Sequence, residues 1–105
     1  MVIQITGPQQ EALAQMVQDE LGLRIARRLG APREAPAMRG YVREAVAADV
    51  TVESEIAQLA QVLREIDRAG PRPREIQAIM ADKAVSGRVK VFQVEYQWRQ
   101  LRRRA

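Results

Sequence analysis

The chain has 105 residues, with 17 Lys and Arg against 13 Asp and Glu, and contains no Cys, His or Asn. This length predicts a single domain over residues 1–105, and 47% hydrophobic residues are typical of a folded globular protein. The absence of Cys and His excludes a disulfide framework, a thiol nucleophile, an imidazole base and the usual zinc sites. No apolar run approaches the roughly 18 residues of a membrane span, and the N-terminus does not resemble a secretory leader. We therefore expect a cytoplasmic protein that does not bind membranes.

Apolar residues at helical spacing predict a long first helix. It follows a capping box that begins at Thr6, and the segment before it fits a short extended arm over residues 1–6. Its apolar stripe consists of Leu13, Met16, Val17, Leu21, Ile25 and Leu29. Gly22 lies inside this helix and is expected to weaken it by about 1 kcal/mol relative to Ala.

Three further helices are predicted from their start and stop signals. The second covers about residues 37–49, the third has Thr51 as its N-cap and stops at Gly70, and the fourth opens at Pro73. Their apolar faces are Met38, Tyr41, Val42, Ala45 and Val46, then Val52, Ile56, Leu59, Leu63 and Ile66, and then Ile76, Ile79 and Met80. Glu53 and Glu55 suit the positive end of the third helix dipole.

The last segment supports two interpretations. Residues 88–91 alternate like a strand, but the alternation breaks at Phe92. Helical spacing joins Val91, Val94, Trp98 and Leu101, with Val89, Phe92 and Tyr96 as an adjacent stripe. We therefore predict a helix over about 87–102 with Ser86 as its cap, and an all-α bundle of about five helices.

The available side chains argue against an enzyme. Ser86 lies between Lys83 and Lys90 at helical distance, but a capping serine beside solvated lysines is a simpler interpretation than a Ser–Lys catalytic pair. Acidic pairs such as Asp19 and Glu20 fit solvated faces, and the scattered glycines form no phosphate loop. We predict no catalytic residue, no metal and no cofactor.

The C-terminal segment is the strongest candidate for a binding surface. Residues 88–105 contain six cations and one carboxylate, a net charge of +5, and residues 99–105 form a basic tail. The predicted partner contacts are Tyr96, Trp98, Arg99, Arg102 and Arg103, with Met16 and Arg24 of the first helix as further candidates. Trp, Tyr and Arg are the residues most often found at the energetic centre of protein interfaces. Full burial of Trp98 would exclude it from such a surface.

Other interpretations of this segment remain open. Interleaved Arg and aromatic residues also suit nucleic acid, which we rank below protein. A stripe as broad as 89–101 suits a homodimer as well as a monomer core. With only four aromatic residues for a thin core, we favour burial of Phe92 and of at least one of Tyr96 and Trp98. An immunity protein would normally be acidic, so the basic C-terminus argues against that role.

Three stretches also carry a family resemblance. Residues 42–59, VREAVAADVTVESEIAQL, join a basic helix through a short apolar turn and a Thr to an acidic helix start, and residues 75–90, EIQAIMADKAVSGRVK, join a short helix to the last one. With the apolar opening of residues 1–6, they resemble small helical bacterial proteins whose genes lie near those for type VI secretion spikes or polymorphic toxins. The resemblance implies an adaptor or chaperone-like accessory that binds another protein and has no catalytic residues. We expect that protein to be a secreted effector, a toxin or a spike component.

Overall fold

The structure, a computed structural model, describes the backbone of residues 7–28 and 32–104, and the side chains of residues 16–28 and 33–104. The helices are α1 (Gly7–Arg28), α2 (Ala35–Ala47), α3 (Glu53–Ala69), α4 (Arg74–Ala81) and α5 (Gly87–Arg104), with a 3-10 turn at Pro32–Glu34. Most of the described residues are helical and none of them is in a strand, which confirms the predicted all-α class. The predicted Thr6 cap and the extended arm over residues 1–6 lie outside the described residues.

A Schellman motif ends α2. Asp49 adopts a left-handed φ of 65° just after the C-cap residue. The Asp49 N–H donates to the carbonyl of Val46 at 3.0 Å, and the Val50 N–H donates to the carbonyl of Ala45 at 3.1 Å. Val50 itself is buried in the core, so the turn fixes the direction in which the chain enters α3.

The start of α3 differs from the prediction. The predicted N-cap Thr51 is wrong, because Val52 occupies that position and no side chain caps the helix. Burial of Val50 fixes the register of the turn, which places Thr51 one residue too early to cap. Glu53 and Glu55 do lie in the first turn, where carboxylates favour the helix dipole.

The remaining boundaries follow the sequence closely. Helix α2 begins at Ala35, two residues before the predicted start, and α4 begins immediately after Pro73. The last segment is a helix and not a strand, and it extends to Arg104. The hydroxyl of Ser86 accepts a hydrogen bond from the N–H of Val89 at 3.4 Å, as expected of a capping serine.

The core lies along α2 and α3. Its largest fully buried side chains are Met38, Leu59, Leu63, Ile66, Ile76, Val42, Val50 and Val94. The stripe predicted for α3 is therefore confirmed from Ile56 onward, although Val52 is exposed. In α1, Leu21 and Ile25 are buried, but Met16 and Val17 face away from the core.

Two glycines allow helices to approach neighbouring backbone closely. A Cβ on Gly22 would lie 2.9 Å from the backbone nitrogen of Arg39 in α2, so the glycine expected to weaken α1 is required for its packing. A Cβ on Gly87 would lie 2.6 Å from the backbone nitrogen of Val50. Helix α5 therefore begins directly against the turn between α2 and α3.

Candidate partner-binding surface

One side of α5 faces the core. Val91 and Val94 are buried, and Trp98 and Leu101 pack against the same cluster in partly buried positions, which confirms the predicted stripe. Lys90 lies at the edge of this side and is only 2% exposed. Its Nζ donates to the carbonyl of Met80 at 3.4 Å, so the ammonium group lies at the C-terminal end of α4, where a cation is favourable.

A second side of α5 is joined to α3 by three polar contacts. Near the start of the two helices Arg88 Nε donates to Glu55 Oε1 at 2.9 Å, and near their ends Arg102 donates to Glu65 at 2.7 Å. Between them, the Gln58 amide donates to Glu95 at 2.6 Å. Partner numbers rise together along both helices, so α3 and α5 run parallel, and α4 forms the connection.

The third side of α5 carries exposed aromatic residues. Phe92 is 69% exposed, Tyr96 is 55% exposed and Val89 is 44% exposed. The rings of Phe92 and Tyr96 stack on each other, with centroids 6.5 Å apart and planes inclined by 13°. The expected burial of Phe92 is wrong, because the core accepts only the adjacent stripe of the helix.

Two arginines continue this exposed surface toward the C-terminus. Val89, Phe92, Tyr96, Arg99 and Arg103 are exposed and lie within an arc of about 80° at 100° per residue; we call them the outer face. Arg99 and Arg103 form no ion pair among the described residues, whereas Arg102 is paired. The outer face thus has an apolar half and a basic half.

The structure places the predicted contact residues on different sides of α5. Tyr96, Arg99 and Arg103 lie together on the outer face, but Arg102 is directed toward Glu65 of α3. Trp98 faces the core while remaining partly exposed, and its buried Nε1 has no hydrogen-bond partner among the described residues. The predicted surface omitted Val89 and Phe92, although the i, i+3, i+7 spacing of Val89, Phe92 and Tyr96 was the available signal.

The two candidates on α1 lie on a different element from the outer face. Met16 is 66% exposed, whereas Arg24 pairs with Glu53 of α3 at 2.6 Å and with Glu20 at 3.7 Å. Arg24 also lines a groove of about 280 Å³ between α1 and the start of α3. Its guanidinium is thus already engaged in linking two helices.

A second polar cluster joins α2, α3 and the loop before α4. Arg72 donates to both oxygens of Glu44 at 3.2 Å and to Asp67 at 2.8 and 3.1 Å, while the Tyr41 hydroxyl donates to Asp67 at 3.0 Å. Hydrogen bonds from Arg72 lower the pKa of Asp67 despite its partial burial. The hydrogen bond with Asp67 raises the pKa of Arg72, and burial raises the pKa of Tyr41. These shifts stabilise the ordinary charge states at neutral pH, which is typical of a structural cluster.

This cluster predicts a specific loss of stability in acid. The pKa of Asp67 is lower in the folded chain than the ordinary value of 3.8, so the stability it contributes is present above that value and declines as the pH falls toward its folded pKa. We expect Asp67→Asn to lower the free energy of unfolding by about 1 kcal/mol at pH 7, and expect the deficit to shrink by pH 3. Urea denaturation of the wild-type chain and the variant between pH 7 and pH 3 measures this deficit. Glu75→Gln, at an exposed carboxylate with no ion pair in the described chain, should keep a near wild-type profile; a constant Asp67→Asn deficit would contradict the assignment.

The groups considered for catalysis are engaged elsewhere. Ser86 caps α5 through its hydroxyl, and the Lys90 amine contacts a carbonyl of α4. Across the described side chains, no three acidic residues come together in a way that would hold a metal ion. None of the described helices has the length and apolar character needed to cross a membrane.

The fold and this surface define a small all-α protein whose last helix is packed on two sides and presents an amphipathic third side that forms no ion pair within the described residues. Comparisons with protein-family models, with curated proteins and with solved structures found no match.

Proposed function

We propose that this chain is a non-enzymatic protein-binding accessory, an adaptor or chaperone-like protein, that docks on its partner through the outer face of α5. The exposed stripe of Val89, Phe92 and Tyr96 carries the proposal. Aromatic side chains aligned on one helix face have an unfavourable hydration free energy unless a partner covers them. Amphipathic helices commonly bind other proteins through such a face. The lack of Cys and His supports a role without catalysis.

The resemblance to proteins encoded near secretion spikes and polymorphic toxins suggests the kind of partner. On that basis a secreted effector, a toxin or a spike component is the proposed client. An adaptor of this kind would cover a client surface that is exposed until the client is assembled or exported.

Substitutions on the outer face test the proposal. We expect Val89→Ser and Phe92→Ser to reduce recovery of a co-purifying client from nuclease-treated host lysate by about tenfold or more, since exposed aromatic anchors dominate interface energies. Val52→Ser is the matched control, because Val52 and Val89 are both 44% exposed. Circular dichroism checks that all variants fold. Equal recovery with all three variants would contradict the proposal.

Nucleic acid is the second candidate, favoured by the absence of ion pairs at Arg99 and Arg103 among the described residues. Recovery that disappears after nuclease treatment, with an affinity that falls steeply as salt rises, would replace the protein partner by this one. The double variant Arg99→Ala/Arg103→Ala should then abolish binding and leave the fold intact, because both side chains are exposed.

A further inference from the structure

The spacing of the outer face matches a helical partner. Its residues recur at i, i+3, i+7, i+10 and i+14, the three–four alternation by which one helix packs along another. The stripe is about 21 Å long at 1.5 Å per residue. An extended strand presents side chains to one side at every second residue and does not follow this spacing.

The charges on the outer face predict which types of residue a complementary partner helix has. Arg88 and Arg102 are neutralised by carboxylates of α3, whereas Arg99 and Arg103 have no ion-pair partner in the described chain. No residue of the outer face is acidic. A complementary helix therefore has apolar residues opposite Val89, Phe92 and Tyr96, and carboxylates opposite the two arginines.

A second copy of this chain complements the outer face poorly. In a parallel pair the arginines of the two copies would face each other. In an antiparallel pair centred on Tyr96, Arg103 would lie over Val89, and Arg99 would lie over Gln93, next to Phe92. Neither arrangement supplies the missing carboxylates, so the charge pattern favours a different chain.

The helix dipole predicts the direction in which the partner helix runs relative to α5. Asp and Glu are most favourable in the first turns of a helix, and the basic half of the outer face lies at the C-terminal end of α5. A partner helix that runs antiparallel to α5 places its acidic N-terminal turns over Arg99 and Arg103. The antiparallel arrangement also sets the two helix dipoles in opposite directions.

From these observations we infer that the partner docks an acidic amphipathic helix antiparallel to α5, with its carboxylates on Arg99 and Arg103 and its apolar side chains on Val89, Phe92 and Tyr96. The inference rests on the proposed function, since it names the class of segment that the outer face recognises.

Two labelled peptides test the charge preference. Each is an 18-residue amphipathic helix with Leu at the positions facing Val89, Phe92 and Tyr96, and one has Glu in its first two turns where the other has Lys. We expect the Glu peptide to bind the wild-type chain about tenfold more tightly than the Lys peptide, as measured by fluorescence anisotropy. The double variant Arg99→Glu/Arg103→Glu should reverse that preference.

Arg27→Glu is the matched control, because Arg27 is also an exposed arginine in the last turn of a helix. It should leave the preference unchanged. Equal binding of the two peptides, binding of neither, or a preference unaffected by the double variant would overturn the inference. A spin label at the N-terminus of the Glu peptide should broaden amide signals near Arg99 and Arg103, whereas broadening near Val89 would overturn the antiparallel direction.

The outcomes separate this inference from the proposed function. A client captured through Val89 and Phe92 without any effect of Arg99→Glu/Arg103→Glu would leave the proposed function standing and overturn the acidic helix. A dimer seen by sedimentation and lost in Phe92→Ser would assign the outer face to a second copy and overturn both. Binding to nucleic acid that competes with the Glu peptide would overturn the helical partner.

Discussion

Replacing Gly87 with Ala is expected to lower the free energy of unfolding by about 3 kcal/mol, at the upper end of the usual cost of overpacking. The added methyl group would overlap the carbonyl of Asp49 and lie 2.6 Å from the nitrogen of Val50. Both neighbours are backbone atoms of a hydrogen-bonded turn, so they cannot move aside as a flexible side chain does. To accommodate the methyl group, α5 must shift away from the core.

Urea denaturation followed by circular dichroism measures this effect, and Gly40→Ala provides the control. A Cβ on Gly40 would meet no atom of the described residues within 4 Å, and the residue lies inside α2. We expect that change to raise the free energy of unfolding by about 0.5 to 1 kcal/mol, the usual helix preference of Ala over Gly. Wild-type stability in Gly87→Ala would show that α5 does not rest on the turn.

The second large effect is expected at Ile76, the buried residue of α4. Truncation to Ala removes apolar contacts and leaves a cavity, so Ile76→Ala should lower the free energy of unfolding by about 3 kcal/mol. Ile79→Ala makes the same change in the same helix at a partly buried position, where we expect a loss of about 1 kcal/mol. Thermal denaturation of both variants would measure the difference. Similar losses would contradict the placement of α4 on the core.

The sequence was sufficient to predict the helices and, for most of them, the side that is buried. In α3 the residues from Ile56 to Ile66 form a single narrow stripe on a helix with charged residues elsewhere, so periodicity identifies the buried side without ambiguity. In α5 two adjacent stripes are apolar. Periodicity could not decide between them, because the choice depends on where α3 and α4 lie, and Phe92 was therefore assigned to the wrong side.

The candidate surface was predicted only in part for the same reason. Tyr96, Arg99 and Arg103 were identified by composition, but composition could not show that Arg102 pairs with a glutamate on α3, 37 positions earlier in the chain. The prediction of Thr51 as the N-cap of α3 was wrong for a related reason. Local propensity favours Thr over Val as an N-cap, but burial of Val50 and the hydrogen bonds of the preceding turn fix the register.

The buried position of Lys90 has a practical consequence for labelling. The chain has two lysines, and only Lys83, in the loop between α4 and α5, is exposed. The Lys90 amine is enclosed against the end of α4, so of the two lysine side chains only that of Lys83 should react with amine-reactive dyes and surfaces. A dye or a tether can therefore be attached through a lysine that does not belong to the outer face.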